Sequence, residues 1–160
     1  MKKYAKQDTE DIRREIQESL KDSQAWLSDV YDGAERDLRF RDGDQWPENY
    51  KKVRENKRPM MVKNTTKTII QRIVNPFIKY PFGIKVNTND PNLTKLIQDR
   101  VREIEHQSCA SEAYEVAFDA AVTCGYGHFG VFTDYINDES LEQEPYIGLI
   151  RDPLSVWLDP

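Results

Sequence analysis

Between residues 9 and 39, apolar side chains return every third or fourth position, as Ile12, Ile16, Leu20, Leu27, Val30, Tyr31, Ala34 and Leu38. That period belongs to a helix with one apolar stripe, and it predicts a single long amphipathic helix over about 9–39. Asp8 or Thr9 is placed to cap its first turn, where acids are also favoured. Gly33 weakens the helix and is where a bend is expected. A chain of 160 residues can bury one modest core. The organisation expected is therefore a helical arm, residues 1–45, and an α+β domain, residues 46–160.

Beyond the arm, Asp42-Gly43-Asp44 reads as a turn, and residues 46–57 as an irregular connection. Met60 to Lys63 is a short extended piece. Asn64 caps a second helix with Ile69, Ile70, Ile73 and Val74 inward, which Pro76 is expected to kink or end. Ile84-Lys85-Val86 alternates like a short strand. A third helix over about 93–107 presents Leu93, Leu96, Ile97, Val101 and Ile104 on one face. A fourth over about 111–124 presents Tyr114, Ala117, Phe118, Ala121 and Val122. After glycine-rich residues 125–130 the pattern changes to strands. Phe129–Tyr135 and a return over about 145–151 predict an antiparallel pair, with an acidic loop over 137–144 between them and a last short strand at Ser155–Leu158. Helices first and a small antiparallel sheet in the C-terminal third define an α+β class.

No apolar run approaches the roughly 18 residues that would span a bilayer. No apolar stretch follows the lysines of the first residues, so a secretory signal is not indicated and cytoplasmic synthesis is expected. Asn64-Thr65-Thr66 and Asn92-Leu93-Thr94 match the glycosylation pattern but carry no meaning without secretion. Cys109 and Cys124 are too few for a disulfide framework.

The net charge of -5 is distributed in blocks. Residues 51–80 hold nine basic residues against one acid, while both flanks are acidic. The basic block reads either as a solvated face that pairs with acidic neighbours, in the same chain or another copy, or as a patch that contacts phosphate. The acidic whole repels a polyanion at long range, which favours the first reading.

Motifs that could carry chemistry dissolve in their context. Gly125-Tyr126-Gly127-His128-Phe129-Gly130 spells a dinucleotide fingerprint, but that motif needs a strand before it and a helix after. Here the order is reversed, and the structural reading is a helix C-cap followed by a turn into a strand. Cys124 sits at a helix C-terminus, where the dipole disfavours a thiolate, so its pairing with His128 does not suggest a nucleophile. His106, Cys109, Cys124 and His128 lack the spacing of a zinc knuckle. Asp42 and Asp44 suit backbone-bonding turn residues better than an acid–base pair. Trp26, Trp46 and Trp157 are scattered and read as core or interface anchors. No catalytic residue, metal site, cofactor site or small-molecule substrate is indicated, and no enzyme is expected.

The order of features resembles the portal proteins of short-tailed bacteriophages. An acidic–basic N-terminal helix runs into Phe40-Arg41-Asp42-Gly43-Asp44-Gln45-Trp46. A basic stretch and Arg58-Pro59 follow, and then a helix running into Asn75-Pro76 and the segment Ile84-Lys85-Val86. Ala117-Phe118, Gly125-Tyr126-Gly127 and Thr133-Asp134-Tyr135 form the most specific part, and the closing 152–160 segment also looks like the family. The resemblance covers about residues 10–160 and implies a piece, largely the outer wing, of a longer chain. It implies a structural subunit of a ring through which double-stranded DNA is packaged and ejected. Other copies of itself, terminase, coat and scaffolding proteins would be its partners, and it would reside in a virion assembled in a bacterial cytoplasm. Trp46, Lys51, Lys52, Arg54, Lys57 and Arg58 are candidate subunit or DNA contacts. Asp138, Glu139, Glu142 and Glu144 offer the acidic counterpart. The alternative from another class is a small nucleic-acid-binding module working through residues 51–79.

Overall fold

Asp42 ends a helix that starts at Thr9 and runs unbroken through Gly33, a length of 34 residues. The computed structural model describes residues 9–54, 58–80, 83–137, 139 and 141–158, and Lys57 and Asp138 lie outside them. After this first helix, α1, the order is α2 (Glu48–Arg54), α3 (Thr65–Lys79), α4 (Pro91–Gln107), α5 (Ala110–Cys124), β1 (Phe129–Tyr135) and β2 (Gln143–Leu149), then a 3-10 turn at Pro153–Ser155. The architecture is α+β, with helices first and a two-stranded antiparallel sheet near the end. β1 and β2 pair from Phe129 opposite Leu149 to Tyr135 opposite Gln143.

The core centres on α5, whose small residues admit close neighbours. Ala110, Ala113 and Tyr114 are buried together with Ile147 of β2, and Phe77, Ile104 and Leu149 pack against them. Phe77 of α3 stacks on Phe118 of α5 with ring centroids 4.2 Å apart, while Tyr114 meets Phe129 of β1 edge-on at 5.0 Å. Thus α5 lies between α3 on one flank and the hairpin on the other. The second half of α1, in which Leu27 and Ala34 are buried, packs on α5, and Arg41 Nη1 meets Asp119 at 2.5 Å.

Several expectations are corrected. The connection after Trp46 contains a helix, α2, because the Pro47 carbonyl accepts from the amides of Tyr50 and Lys51, with Glu48 and Arg54 suited to its two ends. Pro76 does not end α3, which continues to Lys79. Phe77, stacked on Phe118, anchors the turn that follows. Ile70 and Val74 of α3 are buried, but Ile69 and Ile73 face outward. On α4, Leu93 and Leu96 are exposed rather than inward, and the helix starts at Pro91 because Asp90 accepts from the Asn92 amide. Ile84-Lys85-Val86 forms no strand. With no strand beside it, its backbone bonds the side chain of Gln98, whose Oε1 accepts from Val86 N at 2.9 Å and whose Nε2 donates to Ile84 O. The closing segment also finds no strand partner. Tyr31 Oη donates to Val156 O and Ser23 Oγ to Leu158 O, so residues 156–158 lie along α1, running opposite to it.

Candidate assembly surface

Each glycine of the 125–130 motif is explained by the backbone. Gly125 closes α5 at φ 92°, with its amide donating to Ala121 O. A Cβ on Gly127 would stand 1.9 Å from the Ala117 carbonyl oxygen, so this glycine lets the chain pass against α5. Gly130 pairs with Gly148 across the sheet, and the Phe132 ring lies over both. The turn therefore serves helix-to-strand packing. The Cys124 thiol shares its hydrogen between the carbonyls of Ala120 and Tyr126. Among the described residues, no three His, Cys, Asp or Glu side chains gather as metal ligands, and no helix is long and apolar enough to cross a membrane.

The predicted contact residues fall into separate settings. Lys51 is engaged within its own chain, with Nζ 2.5 Å from Asp44 and 2.7 Å from Glu48. Those bonds, Asp44 first, raise its pKa above the ordinary lysine value. Arg54 lies over the Trp46 ring at 4.9 Å, and that indole is half-buried. Lys52 and Arg58 are exposed. On the acidic side, Glu144 is half-buried and held by Arg100 at 2.9 Å, while Glu142 and Glu139 are exposed. Arg100 also holds Glu103 at 2.7 Å, and these two carboxylates, Glu103 first, raise its pKa. The Lys51 and Arg54 end of the basic block is thus partly neutralised internally, as is Glu144.

The prominent positive surface is elsewhere. Lys63, Lys67, Arg72 and Lys79, on α3 and just before it, are all exposed. Beside them Ile69 and Ile73 are 56% and 50% exposed. The sequence signal was available, since the basic block extends to Lys79, but the inward assignment of Ile69 and Ile73 hid their role. The hairpin is the negative counterpart. It carries exposed Val131, Phe132, Tyr135 and Leu141 together with exposed Asp134 and Glu139.

Exposed apolar side chains lie on helix and sheet alike. Residues 17–160 match the family model of phage P22-like portal proteins, and the chain belongs to that family. It is accordingly a phage protein of the structural, portal kind. No curated protein and no solved structure matches the chain.

Proposed function

We propose that the protein is a subunit of a portal ring of about a dozen copies at one capsid vertex, closed by head-to-tail contacts. DNA enters and leaves through such a ring, a terminase motor docks on it, and coat and scaffolding proteins assemble around it in the host cytoplasm. The family match over residues 17–160 carries this reading. The charge blocks support it, because unlike faces steer neighbouring copies into one register. Lys52 and Arg58, with Lys51, Arg54 and Lys57 nearby in sequence, add to the positive side. Glu142 and Glu144 add to the negative side. Apolar residues such as Trp46 supply affinity, since single exposed ion pairs contribute only about 0–1 kcal/mol.

The test is sedimentation across protein and salt concentration, combined with electron microscopy of the assemblies and of phage particles. Association that weakens with salt and localisation at one vertex are expected. A salt-independent dimer that never grows, absent from particles, overturns the reading.

A second reading is a nucleic-acid-binding module working through residues 51–79, favoured by the exposed cations of α3. It requires duplex binding whose affinity falls steeply with salt, by roughly 0.9 decades per decade of salt for each phosphate contact. Fluorescence anisotropy with a labelled duplex measures that slope.

A further inference from the structure

Two apolar faces of opposite charge flank α5 and are kept apart by it. From Arg58 to Tyr80 the sequence holds five basic residues, Arg58, Lys63, Lys67, Arg72 and Lys79, and no acid. All five are exposed, and none forms an ion pair among the described residues. From Phe129 to Leu149 the sequence holds five acids, Asp134, Asp138, Glu139, Glu142 and Glu144, and no base. Both faces also carry uncovered apolar side chains. Met61 is 84% exposed and Ile69 56% on one, and Phe132 is 46% exposed and Leu141 92% on the other. Packing of α5 against both α3 and the hairpin keeps the two faces from covering each other in one copy.

We propose that the basic apolar face of α3, with the segment from Arg58 to Lys63, docks on the β1–β2 hairpin of the neighbouring copy. This rests on the portal-ring reading and names the surfaces that join its subunits. A second copy fits better than nucleic acid for three reasons. The positive face pairs its cations with Ile69 and Ile73, which a phosphate backbone would leave wet. The hairpin, carrying only acids, repels a polyanion. Finally, a matching face, opposite in charge, is present on every copy. Different faces on the two flanks give a heterologous contact, the kind that propagates into a ring when the rotation closes. The charges set register and steer encounter, while desolvation of the apolar residues between them supplies affinity.

Charge reversal by exchange tests this. One variant carries Arg72→Glu and Lys79→Glu, the other Asp134→Lys and Glu139→Lys. Self-association is followed by sedimentation velocity and chemical cross-linking up to the millimolar range. Each variant alone is expected to associate about tenfold or more weakly than the parent at low salt, because like charges then face each other. An equimolar mixture of the two is expected to recover association, since the altered α3 face of one variant then meets the altered hairpin of the other, and their two unaltered faces still match. Recovery on mixing also answers any concern about folding, because two misfolded chains would not restore each other. Ile69→Ser with Ile73→Ser should weaken association at low and high salt alike. If either reversal variant associates as the parent does, or the mixture does no better than its components, this interface is wrong while the ring reading stands. If the α3 reversal abolishes binding of a labelled DNA duplex and leaves self-association unchanged, that face binds nucleic acid instead. A parent chain that stays monomeric throughout overturns this interface, while the ring reading is then decided by microscopy of phage particles.

Discussion

At the residue scale, the constraints on this chain are mostly steric. Gly127→Ala would drive a methyl into the Ala117 carbonyl, which is backbone of a buried helix and cannot swing aside. We expect a loss of about 2–3 kcal/mol, read as a lower urea midpoint with an unchanged slope. Gly83→Ala is the control, since nothing lies within 4 Å of its Cβ position, and should change stability by less than about 0.5 kcal/mol. Two tyrosines make a second prediction. The Tyr126 hydroxyl is buried with no hydrogen-bond partner among the described residues. Burial is the main cause pushing its pKa, and that of Tyr114, up to about 12 from an ordinary 10.0. Tyr114 Oη also donates to Glu105 at 3.1 Å, which raises its pKa further. A folded-state pKa above the unfolded value means the folded chain keeps its proton longer. Stability is then full below about pH 10 and declines as pH rises toward about 12. Tyr126→Phe should leave neutral-pH stability unchanged or raise it by up to about 1 kcal/mol, because an unsatisfied hydroxyl is removed. Tyr114→Phe loses a real bond and should cost about 1 kcal/mol. The double variant should show a flatter decline above pH 10, measured by urea titration at each pH.

At the element scale, α1 is one continuous apolar stripe in two different circumstances. Its second half is packed, with Leu27 and Ala34 buried, whereas Ile12, Ile16 and Leu20 are exposed. An open groove lined by Ile16, Leu20, Trp157 and Leu158 begins where the closing segment ends on the helix. Leu27→Ala should therefore cost about 2–3 kcal/mol, and Ile16→Ala less than about 0.5 kcal/mol, by chemical denaturation. At the joint between α1 and α3, one side chain bonds both helices. Asn64 Oδ1 accepts from Lys67 N at 3.1 Å and caps α3, while Nδ2 donates to Arg41 O at the end of α1. Asn64→Ala should cost about 1–2 kcal/mol. Asn64→Asp should recover the capping part of that loss, because an aspartate accepts from Lys67 but cannot donate to Arg41. A larger loss for Asp than for Ala would show that the cap is not what Asn64 contributes.

At the scale of the whole molecule, layering decides what can associate with what. α5 carries small residues on its packed side, so α3, the hairpin and the second half of α1 all approach it closely. Their outer faces remain uncovered, and these hold the charge blocks. Raising salt should weaken association between copies, since exposed charges are screened over about 10 Å at 0.1 M, while the stability of the single chain should change little. Sedimentation and thermal denaturation in the same salt series separate the two effects.

The sequence by itself determined α1, α3, α4 and α5, the antiparallel pair and the α+β class, because each rests on a local period or on a turn residue. The arm from Thr9, the cap at Asn64, the turn at Gly125 and the strands after it all follow from contacts within a few residues. The charge blocks were legible for the same reason, being sums over adjacent side chains. Tertiary structure alone decided which apolar residues stay outside. Ile69 and Ile70 are indistinguishable in a helical pattern, yet α5 covers only Ile70. The same contacts carried α3 past Pro76, where Phe77 packs on Phe118, and left Ile84-Lys85-Val86 with a glutamine side chain in place of a strand partner. Partner choice was hidden as well. The sequence could not reveal that Lys51 is neutralised by Asp44 and Glu144 by Arg100, since the pairing of a charge depends on what folding brings beside it.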